Sequence, residues 1–410
     1  MRISPRRFAA ASFLLGSILL VSFPAASTAR LVVSLPLDVP SYSVDPYYTD
    51  ERLAVLEDGW FAISRLSDQG LELLFFTPEG SLTRTRVIPL PPGTTAPLVG
   101  GIGAFGDRYF FNWSRLPGGK AHAAFYSREG ERLGRAFAWP YSTSPVPFAH
   151  HRYAPGRTGR ILPFFFFESG SDLFGQPVYS QRSQMFGPGG FWGPPVDLVL
   201  PRHQLQVFDA AINEDGRFAV LFRRCRKNFI FERDCKMGVQ LFDGAWRPRG
   251  PLRTDVLPKL AGRVLAFSVA MARSGVHAVS WVKELGHPPS NLNDQLLIQL
   301  FRPDGEPAGE EIQISAEGEG LLGWTQPRAT FANTFVVAWR SSPDGFKTHA
   351  HIRELDGKTG QFGEPILIAE DFDGSAWNFQ INSSGHGVVL WGNHLSLVTV
   401  VPDEGKQDEE

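Results

Sequence analysis

The stretch "THAHIR" (348–353) sets His349, His351 and Arg353 on one face of a strand and Ala350 and Ile352 on the other, because side chains along a strand alternate. Two neutral imidazoles about 7 Å apart have the reach to share a metal ion. The plain alternative is a polar row facing solvent, and no third ligand stands at metal spacing beside them. The acidic turns "NEDG" (213–216), "SPDG" (342–345) and "DFDG" (371–374) raise calcium, with Asp371 and Asp373 the best pair. They lack the alternate ligand spacing and distal carboxylate of a calcium loop. As links between strands they read as turn formers.

Two further stretches offer recognition rather than catalysis. Residues 223–236, "RRCRKNFIFERDCK", carry six basic residues against two acidic ones. Cys225 and Cys235 are the chain's two cysteines, and one close pair in an exported chain reads as a disulfide; free thiols or half a metal site are the alternatives. Clamped so, Arg224, Arg226 and Lys227 with Phe229 and Phe231 make a basic finger with an apolar tip, suited to a protein or an anionic polymer. The other reading is a solvated insertion whose tip folds back. The Gly- and Pro-rich stretch 168–195 holds Phe186, Phe191 and Trp192, which either stack on sugar rings or pack between structural units. Nucleophile and phosphate motifs are missing: the chain has no G-x-S-x-G, no H-E-x-x-H and no phosphate-cradling Gly loop.

What must position these residues is a repeat. Seven short apolar stretches recur: "EDGWFAISR" (57–65), "GDRYFFNW" (106–113), "GRILPFF" (159–165), "GRFAVLF" (216–222), "GVHAVSW" (275–281), "NTFVVAW" (333–339) and "GHGVVLW" (385–391). Their period of about 48 to 59 residues points to blades or solenoid units. An alternating strand and tight turn precede each copy. A hairpin follows, as in "QLLIQLFRPDG" (295–305) and "THAHIRELDG" (348–357), and then a more polar fourth strand such as "PILI" (365–368). In "TFVVAW", Phe335, Val337 and Trp339 point one way and Val336 and Ala338 the other, so this strand is built for burial on both faces. Pro163, inside the third copy, is the departure from pattern.

The last unit lacks a fourth strand, while "RLVVSLPL" (30–37) is a strand with no unit of its own. Pairing the two closes a ring and hides its edges. The expectation is therefore an all-β, seven-bladed propeller over 30–401, with β-sandwiches as the rival. A catalytic site on such a ring gathers from several blades around the central channel. His150, Arg152, Asp209, Arg328 and Asn378 on the first strands are its candidates.

Ahead of the ring, "MRISPRR" and the apolar run 8–23 lead into "PAASTA" (24–29). Together they read as a signal peptide ending at Ala29, with a membrane anchor as the alternative. The chain carries formal charge −2; without the leader it is about −5, which argues against nucleic acid. Residues 402–410 form a charged tail.

Units five and six resemble repeats of exported bacterial β-propeller proteins, G-x-F-V-V-x-W followed by D-G turns: here "TFVVAWRSSPDG" with "HIRELDG", and "VHAVSWVKE" with "LFRPDGEPAGEEIQI". The resemblance covers about a third of the chain and implies a propeller and an exported bacterial setting, but no activity. The WD dipeptide, the sialidase box and a repeated kelch Gly-Gly are missing. Together these readings give a monomeric periplasmic or extracellular binding platform for an envelope or extracellular polysaccharide or a protein. It has no cofactor, calcium being the one ion its turns suggest. The alternative is a glycan or ester hydrolase or lyase working in the channel.

Overall fold

A computed structural model describes residues 29–38, 52–67, 69–89, 98–115, 122–138, 150–153, 159–171, 177–187, 190–191, 196–197, 204–228, 231–253, 263–284, 294–316, 318–324, 327–330, 333–344, 347–372 and 377–402. These residues form strands and turns with no α-helix. Residues 1–28 of the leader, residues 403–410 of the tail, Phe229, Trp192 and Asp373 lie outside them.

The described strands group into seven antiparallel sheets. Each of the seven repeated apolar stretches supplies the second strand of one sheet: Phe61–Ser67, Arg108–Arg115, Ile161–Ser171, Phe218–Asn228, His277–Glu284, Thr334–Ser341 and His386–Trp391. Aromatic and β-branched side chains favour these strands because they pack well on a pleated, buried surface. The turns into them are short. In the first, fourth, fifth and seventh sheets, four residues close on a glycine whose N–H bonds the carbonyl three residues back, at Gly59, Gly216, Gly275 and Gly385. All four glycines have φ between 78° and 90°, the left-handed region this hairpin geometry needs.

Packing follows from two-faced strands. Phe335, Val337 and Trp339 enter an apolar cluster with the fifth sheet, whereas Val336 and Ala338 enter another with the seventh. Phe218 and Val220 likewise face the third sheet, and Ala219 and Leu221 face the fifth. Every apolar cluster joins two neighbouring sheets. One of them joins Val388, Leu390 and Leu395 of the seventh sheet to Leu53, Phe61 and Ile63 of the first. The first strand of each sheet packs on the first strand of the next, and Trp377–Ile381 packs on Leu53–Val55. The N-terminal strand Ala29–Val33 runs antiparallel along His394–Pro402, with Ala29 opposite Pro402, as outer strand of the seventh sheet.

Two local expectations need correction. In the loop after "THAHIREL", Gly357 does not take the left-handed position. The left-handed residue is Gly360, and the Asp356 carboxylate is used to accept the N–H groups of Lys358 and Thr359. Asp371 is not a turn former either. It sits inside strand Ile366–Phe372 at φ 53°, in a bulge opposite Thr348–Ala350. Of the two readings of Phe186, packing between units is the one seen: it is buried against Phe105, Phe110, Phe125 and Phe137 between the second and third sheets. Pro163 is accommodated where the ladder to the third strand stops at Phe164–Ser183 and a separate pair, Ile161–Phe186, takes over. Lacking an N–H, proline fits such a break.

Candidate functional site

The turns between first and second strands carry their second residue at equivalent places: Glu57, Glu214, Arg273 and Ser383. Three of these meet although they are far apart in sequence. The Ser383 hydroxyl lies 2.8 Å from Glu57 Oε2 and 2.9 Å from Glu214 Oε1. Glu57 also accepts the Ser384 N–H at 3.0 Å, the Ser384 hydroxyl at 2.7 Å and the Ser383 N–H at 3.3 Å. Arg273 Nε approaches Glu214 Oε2 at 3.5 Å. Ser383 belongs to the seventh sheet and Glu214 to the fourth, so the contact joins two sheets that are not consecutive in the chain.

Neighbouring turns are tied together beside this cluster. Asn382 Nδ2 donates to the Leu56 carbonyl, Asn213 Nδ2 to the Arg273 carbonyl at 3.1 Å, and Arg160 Nη1 to the Glu214 carbonyl at 3.1 Å. The Ser274 hydroxyl donates to Asn333. A hydroxyl has one proton, so Ser383 serves one carboxylate at a time. The two carboxylates lie within about 6 Å of each other, close enough for paired acid–base work on a glycosidic bond. Against that use, Glu57 is held by four protein donors, an arrangement that fixes turns.

The candidates from sequence are dispersed. His349 and His351 do sit side by side, ring centroids 6.4 Å apart. His351 Nε2, however, bonds the Ser341 hydroxyl at 2.9 Å, and its ring stacks on Trp339. Trp339 Nε1 donates to Glu319 at 3.0 Å. Burial pushes the His351 pKa down; the charge of Glu319 opposes this and His349 adds to it. No group of three or more His, Cys, Asp or Glu poised to hold a metal occurs among the described residues. Asp371 pairs with Lys347 Nζ at 3.0 Å, which puts an ammonium where a cation would sit.

Two channel candidates prove to be buried. Asp209 accepts Ser268 Oγ at 2.6 Å and Val269 N at 2.8 Å, so it stitches the fourth sheet to the fifth. Asn378 is buried as well. Arg328 is half-buried on the short strand Arg328–Ala329, and His150 and Arg152 lie on strand His150–Tyr153, first in the third sheet.

The basic stretch continues the middle hairpin of the fourth sheet. Strands Phe218–Asn228 and Phe231–Phe242 are 11 and 12 residues long, against 8 and 7 for the matching pair of the fifth sheet. Among the described residues the first strand pairs with this hairpin as far as Gln204–Cys225, and the hairpin's own ladder runs on to Asn228–Phe231. Between the Arg224–Lys236 and Arg226–Arg233 pairs the ladder is bulged, which sets Cys225 opposite Asp234 and Cys235. Arg224, Arg226 and Lys227 lie on this hairpin. Phe191 is in the short strand Gly190–Phe191.

No protein-family profile matches the chain, and no curated protein matches it. Solved structures do. The polysaccharide lyase Uly1 superposes with a TM-score of 0.54 at 10% identity, over 88% of this chain and 92% of that one. The WD40 domain of SCAP from fission yeast gives 0.46 at 12% identity, over 91% and 98%. Prolyl oligopeptidase B from Galerina marginata gives 0.48 at 14%, over 89% of this chain and 47% of that one. The fold is propeller-like. At these identities the likeness is one of fold alone.

Sequence reading missed Glu57, Glu214 and Ser383. The signal was present in the repeat itself: "EDG" at 57–59 and 214–216 and "SSG" at 383–385 occupy one turn position. Three side chains from that one turn position meet in the fold.

Proposed function

We propose that this chain is an exported, ring-closed, seven-bladed propeller that binds an anionic envelope or extracellular polysaccharide through the ribbon of its fourth blade. Support for the ring comes from the N-terminal strand seated on the last sheet, the apolar cluster between last and first sheets, and the Ser383–Glu214 contact between the seventh and fourth sheets. Residues 1–29 supply the export signal, and the exported setting favours a Cys225–Cys235 disulfide across the ribbon's bulge.

The observation that carries the binding reading is the ribbon. In a chain of formal charge −2, residues 217–253 hold ten basic residues against three acidic ones, and among the described residues the hairpin bearing six of the ten runs past its last pair with the first strand. A concentrated positive field on a projecting element attracts a polyanion, and salt weakens the attraction. The test titrates the mature protein with alginate and with neutral dextran at two salt concentrations. In parallel it uses a variant whose residues 226–233 are replaced by an Asn-Gly turn. Saturable, salt-sensitive binding to alginate alone, weakened at least tenfold in the variant, supports the reading. Equal binding by the variant, or no binding to any polyanion, defeats it and directs the search to a protein partner.

A second reading, cleavage of a glycan at the axis, is favoured by the Glu57–Ser383–Glu214 arrangement. It requires that Glu214→Gln abolish release of reducing ends from a polysaccharide panel while leaving the thermal midpoint in place.

A further inference from the structure

Between the fourth and fifth sheets lies a cavity of about 10 Å³, lined by Val239, Leu241, Arg249, Arg253, His277 and Phe301 with Asp304 and Gly305. Two buried polar atoms on its walls have no hydrogen-bond partner within the protein: Nε of Arg253, from the outer strand of the fourth sheet, and Nε2 of His277, from the second strand of the fifth. His277 is fully buried, its ring stacked on Phe301 at 5.1 Å. Leaving either atom unpaired costs about 1–3 kcal/mol, which makes two of them around one small space a demand for an occupant.

The chemistry of the two atoms selects that occupant. His277 Nδ1 lies 3.3 Å from the Gly275 carbonyl, which can only accept, so Nδ1 carries the ring proton and Nε2 presents a lone pair. Burial also holds the imidazole neutral, with a pKa pushed down to about 4. Arg253 Nε–H is a donor that never loses its proton. The missing group must therefore donate to one wall and accept from the other. An anion such as chloride only accepts, and a metal cation is repelled by the guanidinium. Space of this size holds one water.

We propose that a single ordered water occupies this cavity, accepting from Arg253 Nε–H and donating to His277 Nε2, and so joins the fourth sheet to the fifth. Arg253 is already anchored at its other end by an ion pair with Glu306 of the fifth sheet. The water completes a polar seam at the inner edge of that pair, beside the apolar cluster that contains Val239, Leu241 and Phe301.

Two measurements on the unmodified protein test this. A crystal structure at about 1.5 Å or better should show one water peak within hydrogen-bond reach of both atoms; an empty cavity, or a peak with the anomalous signal of an exchanged bromide, overturns the assignment. Long-range proton–nitrogen NMR at neutral pH should find His277 protonated on Nδ1 and bare at Nε2. A proton on Nε2 overturns it as well, because that tautomer has nothing to accept from the water.

Discussion

His277 shows how one buried side chain ties stability to pH. Its pKa falls from the usual 6.5 to about 4, chiefly through burial, with the Gly275 carbonyl and Asp304 opposing. The unfolded chain therefore takes up a proton on this ring before the folded one does. The resulting contribution is fully present above about pH 6.5, declines as pH falls toward 4, and amounts to about 3 kcal/mol in all. Urea unfolding between pH 7 and 4 should show this loss, and His277→Phe, which keeps a ring against Phe301, should flatten that part of the profile. An unchanged slope in the variant refutes the assignment. Trp339 gives a second case. It is fully buried between the fifth and sixth sheets and donates to Glu319. Trp339→Ala should cost about 3–5 kcal/mol in the urea midpoint, and a loss under 1 kcal/mol would mean that the site collapses around the smaller side chain.

At the scale of elements, the second strands were the most legible part of the sequence. Phe335, Val337 and Trp339 face one neighbour and Val336 and Ala338 the other, as their alternation requires. Burial on both faces leaves a pattern that local reading can detect. Asp371 and Gly357 were misread because which residue of a short acidic loop turns left-handed depends on the register of the strands it joins, and that register is set elsewhere. Choosing between the two readings of Phe186 was not possible locally, because its four aromatic neighbours lie 49 to 81 residues away in the chain. The Glu57–Ser383–Glu214 cluster stayed hidden for the same reason, being a property of the assembled turns. One turn makes the dependence between elements testable. Gly130, at φ 81° in the second sheet, sits so close to Phe75 of the first that an added Cβ would lie 2.5 Å from the ring. Gly130→Ala brings backbone strain and a clash with a buried aromatic together, and should cost about 2–4 kcal/mol in thermal or chemical unfolding. Gly134, also at positive φ, has open space around it. Gly134→Ala should then cost only about 1 kcal/mol from the backbone term, and the difference between the two variants isolates the contact with Phe75.

The whole molecule depends on how its ends meet. Strand Ala29–Val33 covers the outer edge of His394–Pro402, and Leu31 is buried in the cluster shared by the sixth and seventh sheets. If this strand is the clasp of a ring, its value lies in tying the last sheet shut and in hiding a strand edge that would otherwise pair with another chain. Removing residues 30–38 should therefore do two things together: lower the thermal midpoint and give rise to concentration-dependent aggregates, read by light scattering after size exclusion. Circular permutation separates the clasp from mere burial. Ala29 lies directly opposite Pro402 in an antiparallel pair, so a short Asn-Gly turn can join them, with new termini opened between residues 116 and 121. The clasp then becomes covalent hairpin, and closing it costs less chain entropy. The permuted chain should remain monomeric, with a midpoint at or above that of the natural order and a single cooperative transition. A permutant that aggregates or melts in two steps would mean that the seventh sheet is an open end and the N-terminal strand only a cover.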